Sequence, residues 1–399
     1  MIKVLHIGKF FSPFRGGVEN YMRDIMVSLN HLDVRNFAVV HRHELSFRSI
    51  DDTIEVDDIP FHVIRAGTWF KFMYAPFSPM FPILMRRLAR LYQPNIIHFH
   101  MPNPSAFWAL LMLRMRNVAW VIHWHADVVA SSHDPKLRWF YHFYRPLEQM
   151  MLRRAAAVVV TSEAYLDHSE PLREHRAKCH VVPLGLQPEA PDTAGQTSQN
   201  ISEYVQDDRF KVLAIGRLTY YKGFEYLLRA AALLKTDIRV DIIGSGQRER
   251  SLRKLASHLG LDGQLHLIGH VTDDELHARL HACDCVCLPS LERTEAFGMV
   301  LLEAMMHGKA TVVSDVAGSG MGWIVEHDHT GIKVPPGDAQ ALAEALAWLR
   351  DHPAQTRSMG EQGRLRFKEL FVIERSAKSL QKIYHSIVHA QVTNEGPGS

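Results

Sequence analysis

Four cysteines in 399 residues are too few for a disulfide-stapled framework. Three of them, Cys283, Cys285 and Cys287, alternate as one face of a strand does and lack the spacing of a zinc clamp, so all four read as reduced structural residues. No apolar run approaches the roughly 18 residues that a membrane-spanning helix needs. The opening MIKVLHIGKFF has neither the basic segment nor the longer apolar core of a signal peptide and reads as a first strand. A dominant charge is missing too: 45 Lys and Arg against 43 Asp and Glu leave +2, which excludes a whole-protein preference for nucleic acid. These absences predict a cytoplasmic protein, soluble or attached to a surface.

What the chain has in quantity is apolar residues, 47%, with 22% charged, enough to build large cores. At this length two domains are expected. Short apolar runs alternate with helical patterns throughout, a βαβα rhythm that implies parallel sheets covered by helices. The first half supplies strands at Lys3–Gly8, Phe37–His41, Asn95–His100, Val118–Trp124, Ala156–Thr161 and Cys179–Pro183, with a helix whose apolar stripe is Val18, Tyr21, Met22, Ile25 and Leu29. The second begins again at Lys211–Gly216, followed by Val240–Gly244, Gln264–Gly269, Cys285–Leu288 and Ala310–Ser314. Between them Gln187–Asp208, with its PEAPDTAGQTSQN, has no periodic apolar pattern and reads as a linker. Two doubly wound domains, 1–186 and 209–372, would then face each other across a cleft, with ligands at the carboxyl ends of the strands.

Three stretches carry chemistry. In SPFRGGVENYM, Gly16 and Gly17 precede a helix, which suits either close approach of a ligand anion or merely a tight turn. In IGRLTYYKG, Arg217 and Lys222 flank a turn after a strand and could neutralise a diphosphate, or could be ordinary surface charges. In SLERTEAFGMVLLEAMMHGKATVVSD, Glu295 lies in a loop, a helix starts near Phe297–Gly298, and Glu303 follows two turns later. An ionised carboxylate only accepts hydrogen bonds and suits sugar hydroxyls, while the N–H groups of Gly298, Met299 and Val300 would favour a phosphate. His98 and His100 share one strand face, as do His123 and His125. No Cys, Asp or Glu accompanies them at convincing ligand spacing, so no metal site is expected. A hydrophobic-flanked Asp-x-Asp is also absent.

With these motifs in order, from Gly16-Gly17-x-Glu19 through PNIIHFH, VIHWHAD, VVPLG, GRLTYYKG, IIGSGQ, LHLIGHV and the Glu295/Glu303 pair to HTGIKVPPGD, the chain resembles the retaining glycosyltransferases of the GT-B fold, family 4. The resemblance covers nearly the whole chain. It implies α/β architecture of two Rossmann-like domains, an acceptor domain at 1–186 and a nucleotide-sugar donor domain at 209–372, with the final helix, about 373–390, crossing back to the first. It implies that Gly16 and Gly17 face the donor diphosphate or the acceptor, Arg217 and Lys222 bind the diphosphate, Glu295 holds the sugar and Glu303 the ribose. His125 matches the family's histidine near the reacting centre, and backbone groups near Gly269–Val271 would hold the base. A nucleoside-diphosphate sugar, GDP-mannose or a UDP-hexose, would serve as co-substrate, with no further cofactor and no metal.

Two departures stand out. Ala310 replaces a common proline, and the glycine-rich VAGSGMGWIVEHDHTG replaces the commoner Gly-Gly-x-Pro-Glu form. Between Ile59 and Arg154, Arg65, Lys71, Arg86, Arg87, Arg90, Arg114, Arg116, Lys136, Arg138, Arg145, Arg153 and Arg154 face only Asp127, Asp134 and Glu148. WFKFMYAPFSPMFPILMRRLARLY and PKLRWFYHFYRPLEQMMLRR interleave aromatics with these cations as interfacial helices do. Peripheral contact with an anionic inner membrane and a saccharide or polyprenyl-linked saccharide acceptor are therefore expected. The rival readings are a nucleotide-sugar epimerase of the same fold and a non-catalytic nucleotide-sugar-binding protein. A dehydrogenase would want Gly-x-Gly-x-x-Gly after the first strand, which GKFFSPFRGG is not.

Overall fold

The computed structural model describes residues 1–14, 16–56, 59–72, 75–112, 118–128, 135–188, 199–234 and 237–394. Arg114, Arg116, Asp134 and residues 189–198 of the expected linker lie outside them. The chain divides into two compact units, Met1–Gln187 with Ile373–Ser399, and Pro188–Val372.

The first unit holds β1 (Ile2–Ile7), β2 (Val34–Leu45), β3 (Ile50–Val56), β4 (Ile59–Thr68), β5 (Phe70–Phe72), β6 (Ala75–Phe77), β7 (Ile96–Met101), β8 (Ala119–Trp124), β9 (Ala157–Val160) and β10 (Cys179–Val181). Its eight-stranded sheet runs β10-β9-β8-β7-β1-β2-β4-β3. All its neighbours are parallel except β3, which lies antiparallel on β4. Strand order reverses between β1 and β7, so the loops after these two strands part and leave a crevice at their carboxyl ends. Its helices are α1 (Gly17–Asn30), α2 (Phe81–Tyr92), α3 (Pro135–Arg154) and α4 (Glu163–His168).

The second unit repeats the plan with β11 (Phe210–Ile215), β12 (Ile238–Ile243), β13 (Leu265–Gly269), β14 (Cys285–Leu288), β15 (Ala310–Ser314) and β16 (Gly331–Val334), all parallel, in the order β13-β12-β11-β14-β15-β16. The reversal here falls between β11 and β14. Its helices are α5 (Gln199–Gln206), α6 (Phe224–Leu233), α7 (Glu249–His258), α8 (Asp273–Ala282), α9 (Met299–Met306), α10 (Met321–Ile324), α11 (Ala339–Asp351) and α12 (Pro353–Arg366). The last helix, α13 (Ile373–Asn394), belongs to the first unit. The Ile373 amide donates to Leu186 O at 3.0 Å and the Ser376 hydroxyl to Pro183 O at 2.7 Å, fixing the point where the chain returns.

Three expectations need correction. The expected linker, Gln187–Asp208, contains α5, because Tyr204 supplies a single large anchor where no periodic stripe exists. Its ring is fully buried with the guanidinium groups of Arg239 and Arg279 each 5.0 Å from its centre. The aromatic-basic stretch read as one interfacial helix is a β5–β6 hairpin followed by α2. Pro76, Pro79 and Pro82 explain the break, since proline removes a donor and is tolerated only on strand edges and in a helix's first turn. The β3–β4 pair was missed because its outer strand is polar.

Two buried polar systems interrupt the apolar cores. In the second unit Asp241 on β12 is fully buried and accepts from Arg239 Nε at 2.9 Å and Arg279 Nη1 at 2.5 Å, while Arg239 also meets Asp207 at 3.1 Å. This network ties α5 and α8 to the sheet. In the first unit His6, His98, His100, His123 and His125 lie together under α1 and α13, all buried. Burial pushes His6 down to about 4 and His125 to about 3, and holds His98, His100 and His123 well below the ordinary range.

Asp241→Ala leaves two guanidinium groups without their shared carboxylate inside the core. We expect a loss of about 3 to 5 kcal/mol, read as a lowered urea midpoint for the second unit's transition. The histidines give the first unit acid lability. Unfolded histidine titrates near 6.5, so below that pH the unfolded chain binds protons that the folded chain refuses. Stability should fall as pH drops from about 6.5 toward 4, by up to about 1.4 kcal/mol per pH unit for each histidine. Urea midpoints measured between pH 7 and 4.5 check this, and His123→Leu should flatten the slope.

Candidate functional site

The second unit's reversal point brings together residues from two loops. After β11 the chain turns at Gly216, whose φ of +154° suits glycine, and a Cβ there would lie 2.8 Å from Lys222 Cε and 2.9 Å from its Nζ. The missing side chain is therefore what lets Lys222 lie back over the strand end, where it is 7% exposed. After β14 the loop 289–298 carries Glu295, and Lys222 Nζ stands 2.5 Å from Glu295 Oε2. The Leu291 amide donates to Tyr221 O at 2.8 Å, joining the two loops through backbone as well.

Glu295 is held from the other side. The Ser290 hydroxyl lies 3.4 Å from its carboxylate, the Ser319 hydroxyl donates to its carbonyl at 2.5 Å, and the Gly320 amide donates to Ala296 O at 2.8 Å. The departure VAGSGMG thus supplies the clamp that positions the Glu295 backbone. Sequence reasoning missed Ser290 and Ser319, since a serine in a glycine-rich loop gives no periodic or spacing signal. Gly298, at φ +88°, ends the loop and starts α9; the Leu301 amide makes the first bond, to Gly298 O at 2.8 Å, and the Met299 and Val300 N–H groups come before it.

Arg217 is exposed, its guanidinium 3.4 Å from Tyr221 Oη. Glu303 is half-buried on α9. The Phe297 side chain is in the core, edge-on to Phe371, and Val271 and Val300 pack against an apolar cluster around Leu213 and Val286. At Phe297 only backbone is left to meet a ligand. Met299, at the start of α9, is half-buried.

In the first unit Gly16 caps α1 with extended backbone, and Gly17 begins the helix. A Cβ at Gly16 would lie 2.2 Å from Glu19 Oε2, so the glycine makes room for a carboxylate from the helix's own first turn. A third-position glutamate reaching back toward the cap resembles one half of a capping box, so Glu19 lies over the helix start expected to face the diphosphate or the acceptor. His125 follows β8 directly at its carboxyl end, its amide donating to Met101 O at 3.0 Å.

The histidine rings are ordered. His6 Nδ1 lies 3.1 Å from His100 Nε2, His100 Nδ1 lies 3.0 Å from His125 Nε2, and His6 Nε2 lies 3.0 Å from Asn36 Oδ1. His98 Nδ1 meets Tyr384 Oη of α13 at 2.5 Å. Among the described residues His98, His100 and His123 bring ring nitrogens within 4.8 Å of one another, close enough to suggest metal ligands. Their planes, however, lie within 20° of parallel. In-plane lone pairs on stacked rings run side by side and do not meet at a point, so the arrangement builds hydrogen bonds more readily than a coordination sphere.

Known proteins place this geometry. Residues 16–185 match the model of the glycosyl transferase 4-like domain and residues 197–366 that of the glycosyl transferases group 1. The D-rhamnosyltransferase WbpZ of Pseudomonas aeruginosa is 31% identical over 373 residues, 93% of this chain and 92% of its own. The O-antigen chain mannosyltransferase C of Escherichia coli is 28% identical, covering 98% of this chain and 100% of its own. Among solved structures, sucrose-phosphate synthase from Thermosynechococcus elongatus superposes with a TM-score of 0.77 at 23% identity, covering 98% of this chain and 100% of that one. HepE of Anabaena, solved with UDP, gives 0.70 at 19%, covering 96% and 100%. No described helix is long and apolar enough to cross a membrane. Two α/β units with parallel sheets, and likeness along the whole length, make this chain a member of the group 1 glycosyltransferases, an enzyme of the GT-B fold.

Proposed function

We propose that this glycosyltransferase moves a manno-configured hexose, with retention, from a nucleoside-diphosphate sugar to a hydroxyl of a saccharide or lipid-linked saccharide in polysaccharide synthesis. The Lys222–Glu295 pair carries the reading: a half-sheltered cation and carboxylate meet where the second sheet reverses. The names of the full-length relatives support the sugar, because mannose and D-rhamnose share ring configuration and differ only at C6. GDP-mannose is therefore favoured over a UDP-hexose.

In this scheme Lys222 and Arg217 stabilise the charge growing on the departing diphosphate, assisted by the start of α9. Glu295 accepts hydrogen bonds from sugar hydroxyls and Glu303 from the ribose. Phosphate neutralisation by these groups requires no metal. His125 serves the reacting hydroxyl. With no carboxylate assigned as a covalent nucleophile, the leaving phosphate itself assists the incoming hydroxyl from the same face. An epimerase would need no acceptor, and product analysis separates it.

Glu295→Gln and Glu303→Ala should each lower transfer roughly tenfold to a hundredfold, as loss of a hydrogen bond to a charged group implies. Lys222→Ala should in addition weaken binding of GDP itself. Titration calorimetry with GDP and UDP, alongside initial rates with GDP-mannose, checks both. Unchanged GDP affinity in Lys222→Ala, or near-normal turnover in both glutamate variants, rejects the donor site.

Membrane attachment forms part of the same proposal. On the first unit's surface Phe70 and Phe72 are 50% and 54% exposed, Ile83 and Leu91 57% and 59%, and Trp139 and Phe143 67% and 62%. Arg86, Arg87 and Arg90 line a groove with Ile83 and Leu91. Exposed rings among cations fit an anionic headgroup layer, where each cation contributes about 1 kcal/mol. Co-sedimentation with phosphatidylglycerol vesicles should fade with salt and be lost when Trp139 and Phe143 become alanine. No sedimentation at low salt refutes it.

A further inference from the structure

We propose that Asn36, His6 and His100 are positioning residues that fix His125 as its Nε2–H tautomer and leave Nδ1 as a bare acceptor for a substrate hydroxyl. The inference rests on the assignment of His125 to the reacting centre. It goes beyond that assignment by naming the protonation pattern and its source.

The chain of reasoning starts at Asn36, which is 2% exposed on β2. Its Nδ2 donates to Met26 O at 3.0 Å and Val34 O at 2.8 Å. Reversing the amide would set its oxygen against two carbonyl oxygens, so the orientation is fixed and Oδ1 faces His6. An oxygen there can only accept, and His6 Nε2 must carry the proton. A neutral imidazole has one N–H and one lone pair. His6 Nδ1 is then bare and requires His100 Nε2 to donate across 3.1 Å. The same argument leaves His100 Nδ1 bare and makes His125 Nε2 the donor across 3.0 Å.

His125 ends the chain. Its Nδ1 is buried and has no hydrogen-bond partner among the described residues, so nothing in the folded chain donates to its lone pair. The rings are held neutral by burial, which is what makes each step exclusive: a cationic ring would donate at both ends and break the sequence. The strand pairing supplies the geometry. His6 stands beside His98 in the β1–β7 register, and His100 beside His123 in the β7–β8 register, so side chains of three adjacent strands share one face. The relay moves no proton at rest. It orients dipoles head to tail from His125 to Asn36, so each bond strengthens the next.

The chemical consequence is directional. His125 accepts a hydrogen bond from a saccharide hydroxyl beside the reacting centre and orients that group, while the leaving phosphate assists the attacking one. A tautomer inverted at Nδ1 would instead present a proton to the oriented hydroxyl, and a wrongly held tautomer at a working histidine costs orders of magnitude in rate in other enzymes.

The test is a two-bond 1H–15N correlation spectrum of the full chain labelled with 15N-histidine, at pH 7, with rings assigned by single His→Gln variants. The expected result is Nε2–H at His6, His100 and His125. Asn36→Leu should release the pattern, giving mixed tautomers at His125 and a roughly tenfold fall in kcat with KM little changed. A proton on His125 Nδ1 in the unsubstituted protein overturns the proposal without need of any variant, as does an unchanged His125 tautomer in Asn36→Leu. Full transfer activity in His125→Ala, with the expected spectrum, upholds the relay and overturns its use in the reaction.

Discussion

A parallel strand covered by helices on both faces has no water to serve polar side chains, and that constraint organises this enzyme. Chemistry is driven to the carboxyl ends of the strands, where loops part at each reversal of strand order. In the second unit the reversal between β11 and β14 seats Lys222 against Glu295. In the first, the reversal between β1 and β7 leaves the neighbouring strand end of β8 to present His125. The same plan is used twice, and in the second unit its reversal point carries the Lys222–Glu295 ion pair.

The polar groups that do enter the cores show what the constraint demands of them. Asp241 is tolerated because two guanidinium groups satisfy it, and those same groups flank Tyr204. The histidines are tolerated because they stay neutral and bond to one another and to Asn36. Charge in one core and tautomer in the other are two answers to one desolvation problem. Each ties elements distant in sequence: α5 and α8 to β12, and β8 through β7 to β1 and β2.

Close packing of backbone performs the positioning around Lys222 and Glu295. Gly216 exists so that Lys222 can lie over it, Gly298 so that the loop can enter α9, and the Ser319–Gly320 turn so that Glu295 and Ala296 are gripped by main chain. A glycine-rich stretch that departs from the commoner family form thereby grips the Glu295 loop. At Gly16 the outcome is opposite, because Glu19 fills the space over its own helix start.

The βαβα rhythm, most of the strand positions and the alternation of cysteines and histidines were legible because they are local: periods of 2 and 3.6 record which face is buried. Single-anchor elements were not. Tyr204 holds α5 through cation contacts from β12 and α8 that no window of sequence contains, and the polar β3 finds its place only by bonding to β4. The sequence also determined that His98 and His100, and His123 and His125, face alike. Only the tertiary structure decided that His6 joins them and that Asn36 stands at the end of the row, because strand register, set by the packing of whole sheets, chooses which side chains on neighbouring strands meet.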